Sequence, residues 1–265
     1  MTLDVRLLEI ISTRPEMVTH FPEWMLPVSR LARLKEDPGL AIVEIAGRDS
    51  FAAALEAVKS GEFTSLLPTI AYTGTEHGSW DTTFRKIDWL REHLTTQGIE
   101  VFDPVLLGSP RFWHRLCGRY VSDLFREFGC YSPCPGCHLY LHSIRIPLAR
   151  MTGCDTIISG ERQSHQGKIK INQLGVFLDV YRSFLSEYGV ELKLPVSHID
   201  SNDEIADIVG PGWEEGEDQL ECVLSQNYLD TDKQPVYSES AILRYFNDFA
   251  LREARGLVNE FLADI

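Results

Sequence analysis

The stretch whose reading decides the fold is LAIVEIAGRDSFAAALEAVK, residues 40–59. Residues 40–45 form a near-continuous apolar run, the pattern of a strand buried on both faces. Ala46 and Gly47 then make a turn with almost no side chain, Asp49 and Ser50 are good helix-capping residues, and the alanine-rich remainder favours helix. A helix starting at the carboxyl end of a buried strand presents backbone N–H groups and a partial positive charge to an anion. Ligands of open α/β sheets sit there. Leu40 to Lys59 therefore reads as a phosphate-binding strand–loop–helix, although a plain capped βα turn has the same local residues.

On its C-terminal side, short apolar runs alternate with helix-length amphipathic segments. Strands are predicted at 40–45, 67–72, 99–102, 155–159 and 190–195, and helices near 50–59, 80–96, 111–128, 138–151 and 173–187. The alternation predicts an α/β fold with a doubly wound parallel sheet of about five strands. Residues 1–37 read as a helical N-terminal cap broken by prolines, and 38–196 as the nucleotide-binding α/β domain carrying the clustered cysteines. Residues 197–265 read as a C-terminal appendage, in which GPGWEEGEDQ (210–219) breaks regularity and 238–263 forms a long terminal helix.

IAGRDS (45–50) resembles the SGGxDS loop of the N-type ATP pyrophosphatase (PP-loop, adenine nucleotide alpha hydrolase-like) superfamily. Gly47, Asp49 and Ser50 fall on the pattern's second Gly, its Asp and its Ser, while Ile45 and Ala46 stand where it has Ser and Gly. AYTGTEH (71–77) and ISGERQSH (158–165) follow the second and fourth predicted strands, as comparable loops do in the superfamily's sulfate-reductase and thiolation branches. The resemblance implies a HUP/Rossmann-like fold that binds ATP and Mg²⁺ through Ala46, Gly47, Arg48, Asp49, Ser50, Thr73, Gly74, Gly160, Glu161 and Arg162. It also implies that ATP adenylates a carbonyl oxygen and releases pyrophosphate, with Asp49 and Ser50 as the catalytic pair.

Cys130, Cys134 and Cys137, in CYSPCPGCH, are spaced C-x3-C-x2-C. Proline and glycine between them predict tight turns that aim the thiolates at one centre, and three thiolates suit three irons of a [4Fe–4S] cluster. Zn²⁺ held with His138 or a remote cysteine, a haem attachment (Cys134 to His138) or plain redox or structural thiols are the competing readings. Cys117 and Cys154 read as core residues, and Cys222 as a candidate fourth ligand or sulfur carrier. His138, His142 and Arg145 share a helical face, and Arg162 to Lys170 make a basic loop suited to phosphate. Glu76 and His77 are candidate acid–base groups.

The 265 residues carry a formal charge of −14, which argues against sequence-blind nucleic-acid binding. No apolar run approaches the ~20 residues of a membrane span, and MTLDVRLLEIISTRPE has no export-signal pattern. A cytoplasmic protein without a membrane partner is expected, with a homodimer left open. The leading functional reading is an ATP-dependent sulfur transferase whose acceptor is tRNA or a small molecule. The alternatives are a nucleotide-binding module with structural zinc, an activated-sulfate reductase or an amide-forming enzyme.

Overall fold

A computed structural model describes residues 4–129, 133–211, 213 and 220–265. Cys130 and most of the 210–219 stretch therefore lie outside the described residues. In chain order the strands are β1 (Leu40–Glu44), β2 (Ser65–Ala71), β3 (Glu76–His77), β4 (Glu100–Val101), β5 (Val105–Leu107), β6 (Thr156–Ile158), β7 (Glu191–Lys193) and β8 (Glu221–Cys222). The helices are α1 (Val5–Thr13), α2 (Val28–Lys35), α3 (Arg48–Val58), α4 (Trp80–Thr95), α5 (Pro110–Cys117), α6 (Val121–Phe128), α7 (Pro133–Ser143), α8 (Ile146–Thr152), α9 (Gly175–Ser186), α10 (Asn202–Val209), α11 (Glu239–Tyr245) and α12 (Leu251–Leu262).

The main sheet is parallel in the order β4-β2-β1-β6-β7, with β5 extending the β4 edge along β2. Every residue of β1 is buried, as a central parallel strand with helices on both faces requires. Order reverses between β1 and β6, and such a switch point leaves a crevice at the carboxyl ends of the strands. The five expected strands are all present. The sixth, β5, is the short run VLL after Pro104. The edge breaks between Val101 and Val105, opposite Leu67–Pro68, and neither Pro104 nor Pro68 has an N–H to give a ladder.

Two helical expectations change. The segment 111–128 is two helices, α5 and α6, parted at Gly118, and the helix expected over 138–151 begins at Pro133 and is likewise divided, into α7 and α8, at Ile144 and Arg145. Proline is favoured in a helix's first turn, where its missing N–H costs nothing. Cys134 and Cys137 therefore lie on the first turns of α7 instead of in tight turns.

The terminal helix is continuous through a π-helical turn, Phe246–Ala250, that joins α11 to α12. Its aromatic face packs on α5, α6 and α7, with Tyr245 edge-on to Phe128 and Phe112 tilted against Phe261. A Cβ on Gly136 would lie 2.3 Å from the Tyr245 hydroxyl, so glycine there permits this close approach. At the other end, Tyr72 donates to the Pro15 carbonyl, and Met17 bridges Gly108. Among the described residues no helix is long and apolar enough to cross a membrane.

Candidate active site

The loop after β1 is closed by its own serine. Gly47 caps α3 in an extended conformation, the Ser50 hydroxyl donates to the Gly47 carbonyl at 2.6 Å, and it accepts the Ala46 N–H at 3.1 Å. Asp49 sits in the first turn of α3, where a carboxylate is favoured by the helix dipole. One of its oxygens lies 3.2 Å from Arg162 and the other 3.7 Å from His165.

The loop after β6 braces this turn. A Cβ on Gly160 would stand 2.4 Å from the Asp49 carbonyl carbon and the Ser50 nitrogen, so only glycine admits this contact without a shift. Arg162 is fully buried and donates to the carbonyls of Ile199 (2.8 Å) and Asp200 (2.7 Å) and to the Asn202 side chain (3.1 Å). The expected basic loop is thus partly internal, with Arg162 fixing the position of Asp49. Lys168 and Lys170 instead line the cavity described below.

Thr73 and Gly74 form a second turn, with Gly74 at φ +89. The Glu76 carboxylate accepts the Thr73 N–H, the Thr73 hydroxyl (2.8 Å) and the Gly74 N–H (2.9 Å). It therefore shapes the turn, while His77 sits on the exposed ribbon 3.3 Å from Glu221. That ribbon pairs β3 with β8 and sets Cys222 opposite Glu76, with the Thr75 hydroxyl 3.2 Å from the Cys222 sulfur.

Cys134 and Cys137, three residues apart on α7, face this ribbon. The Cys134 thiol lies 3.9 Å from the Leu224 carbonyl, and the Cys137 sulfur accepts the Trp113 indole N–H at 3.3 Å. Burial pushes the Cys137 thiol up, and Cys134 adds to the shift while Trp113 opposes it. A thiolate there needs a positive partner. Cys117 and Cys154 are buried, as expected of core residues.

One cavity of about 750 Å³ joins these parts. Ala46 and Thr73 line it from the strand ends, Cys134 and Cys137 from α7, Glu76 and Cys222 from the paired ribbon, and Lys168 and Lys170 from the loop after β6. Beneath it is a polar cluster only partly legible from helical spacing. His142 donates its Nδ1–H to Glu44 (2.9 Å), His138 Nδ1 meets Glu161 at 2.5 Å, and Arg145 lies 3.5 Å from Glu44 and donates to Thr69 (2.7 Å). Burial opposes charge on His142, yet Glu44 and Glu161 outweigh it and raise the imidazole to about 9. The buried Glu44 is held below the usual carboxylate range by His142 and Arg145 against the cost of its burial. Glu44 follows from no motif, because a lone acid in an apolar strand gives no signal until its partners are in place.

No protein-family model matches the chain. The uncharacterized protein MJ0009 of Methanocaldococcus jannaschii is 40% identical over 215 residues, which are 79% of this chain and 76% of the relative. Among solved structures, a 4-thiouridine synthetase in complex with RNA and ATP matches 85% of this chain at 15% identity and a TM-score of 0.49. The chain spans about half of that enzyme, 53% of its length. The U34-tRNA thiolase NcsA of Methanococcus maripaludis, with its [4Fe–4S] cluster, matches 92% of this chain and 77% of its own at 13% identity and a TM-score of 0.42. The chain belongs to the family of the M. jannaschii protein, on a parallel α/β fold whose first-strand loop keeps the Gly47, Asp49 and Ser50 of the SGGxDS pattern it resembles.

Proposed function

We propose that this chain is an ATP-dependent sulfur transferase acting on a carbonyl-bearing acceptor, a tRNA base or a smaller heterocycle. The observation that carries the reading is the shared cavity, which Ala46 of the loop lines together with Cys134, Cys137 and Cys222. In the proposed reaction the acceptor's carbonyl oxygen attacks the α-phosphorus of ATP, and the bond to the β-phosphate oxygen breaks. Pyrophosphate leaves against the N-terminus of α3 and the Lys168 and Lys170 ammonium groups. A sulfide-level sulfur then attacks the activated carbon, and AMP departs with the former carbonyl oxygen.

Asp49 acts here by orienting the loop through Arg162, while Mg²⁺ enters with the nucleotide's phosphates. The donor set fits an iron–sulfur cluster: three soft sulfurs border one cavity, and the raised Cys137 thiol favours a cationic partner. Cys134, Cys137 and Cys222 would hold it, with Cys130 a further candidate. When bound, the cluster supplies a soft site for sulfide. Nδ1 of His138 faces Glu161 and Nε2 faces Asn172, so this imidazole belongs to the polar cluster and not to the cysteine wall.

The test is pyrophosphate release from ATP by anaerobically purified protein, with iron, sulfide and zinc analysis and thiolation of bulk tRNA read in parallel. Acceptor-dependent release with sulfur incorporation is expected. A second reading, a nucleotide-binding module, draws on the Ser50 hydroxyl being taken up inside its own loop. ATP binding without release for any acceptor, together with zinc in place of iron and sulfide, would establish that module.

A further inference from the structure

The polar cluster beneath the cavity holds two carboxylates, Glu44 and Glu161, against one guanidinium, Arg145, and all three are at least nine-tenths buried. Burying an unmatched anion is costly, so a further cation belongs there. A proton on an imidazole is one candidate and a metal ion the other. Three observations favour the metal.

First, a ring nitrogen of His138, a ring nitrogen of His142 and a Glu161 oxygen lie within 4.8 Å of one another, and the same Glu161 oxygen meets Nδ1 of His138 and Nε2 of His142. Two imidazoles and a carboxylate are the donors of divalent zinc and iron sites. Second, His142 is fully buried, yet its Nε2 has no hydrogen-bond partner among the described residues; it stands 3.4 Å from the Glu161 oxygen. Tetrahedral zinc with bonds of about 2.0–2.1 Å keeps its donors about 3.3 Å apart. The His142–Glu161 separation meets that, and the His138–Glu161 contact at 2.5 Å needs to open by under about 1 Å. Third, two of the three donors, His142 and Glu161, are already oriented by a second residue, as metal ligands are. Glu44 accepts the Nδ1–H of His142 and so turns Nε2 inward. The Gln173 amide donates to the other Glu161 oxygen, while the Asn172 amide, whose nitrogen lies 2.9 Å from Nε2 of His138, must turn its oxygen to that ring nitrogen when Nδ1 holds the ion.

We infer that His138, His142 and Glu161 form a mononuclear site for a divalent transition metal, zinc or iron, with Glu44 as its orienting carboxylate. This site is distinct from the cysteine wall and stands whether or not sulfur transfer does. His138 borders the cavity, so an open coordination position there meets whatever oxygen-bearing group the cavity admits.

The test uses the full chain with Cys130, Cys134, Cys137 and Cys222 all changed to serine, stripped with chelator and titrated with Co²⁺. One equivalent should bind with d–d absorption and without sulfur-to-cobalt charge transfer. In that background His138→Ala and Glu161→Gln should each abolish the bands. Glu44→Gln should weaken binding by about 10–100-fold, the usual effect of losing an outer-shell partner. His138 is partly exposed, so its variant separates lost binding from lost folding, checked by circular dichroism. No Co²⁺ binding in the folded serine variant, or binding that survives both His138→Ala and Glu161→Gln, would overturn the site and leave the imidazole proton as the cation.

Discussion

The two walls of the cavity are built by opposite means. The loop wall is local: Ala46, which lines the cavity, belongs to a turn of consecutive residues that is closed by Ser50 and braced from behind by Gly160 and Arg162. The cysteine wall is assembled from a distance, with Cys134 and Cys137 on α7 and Cys222 on a two-residue strand 85 positions beyond Cys137, paired with the Thr75 turn. Backbone bonds and buried side chains fix the first wall. The second depends on a short exposed ribbon and on the packing of the terminal helix. A local wall should therefore break through stability, and a distant one through function.

The largest effect belongs to Arg162→Met. It leaves the Ile199 carbonyl without its Arg162 donor, takes one of two donors from the Asp200 carbonyl and removes the nearest cationic partner of Asp49. Loss of a buried charge partner costs about 3–5 kcal/mol, and ATP affinity should fall with it. Denaturant unfolding and nucleotide titration check this, and native-like stability would show that the brace is not structural. Gly160→Ala comes next, since its methyl must displace backbone at Asp49 and Ser50. Overpacking of this kind costs about 1–3 kcal/mol, and the loss should again track weakened ATP binding. Wild-type ATP affinity in this variant would contradict the close packing.

Cys222→Ser should separate the walls. Cys222 is exposed, so thermal stability should stay within about 0.5 kcal/mol of wild type, while iron and sulfide loading and sulfur incorporation fall and ATP binding is kept. A variant that loads iron fully would remove Cys222 from the ligand set and return the third place to Cys130.

The same contrast explains how much was legible from sequence. The β1–α3 loop, the five main strands and the terminal helix are local patterns of apolar runs and small residues, and each lies where it is expected. The β3–β8 ribbon was not legible, because two residues of strand have no periodicity and their partner is remote. The break in 111–128 turned on one glycine, Gly118. The His138–His142 spacing pointed to a shared face. Glu44 and Glu161, which give that face its chemistry, meet it only after β1 and β6 lie side by side.

The smallest effect concerns the fastening of the cysteine wall from outside. Arg255 on α12 reaches Glu187, just past α9, through paired contacts of 2.7 Å, and α12 packs in turn on α7. The Arg255 hydrogen bonds hold the Glu187 carboxyl below its ordinary range. A carboxylate depressed in the folded state contributes stability above its unfolded pKa of about 4.3 and loses it as pH falls through the folded value. The pair is more than one-third exposed on both sides, so it contributes at most about 1 kcal/mol and is weakened by salt. Melting wild type beside Glu187→Gln should show a small gap at pH 7 that closes below about pH 4. The gap should also shrink at high ionic strength. Because α12 supports α7 from behind, loosening this pair should leave ATP binding unchanged, and a loss of nucleotide affinity in Glu187→Gln would mean that the two walls are coupled after all.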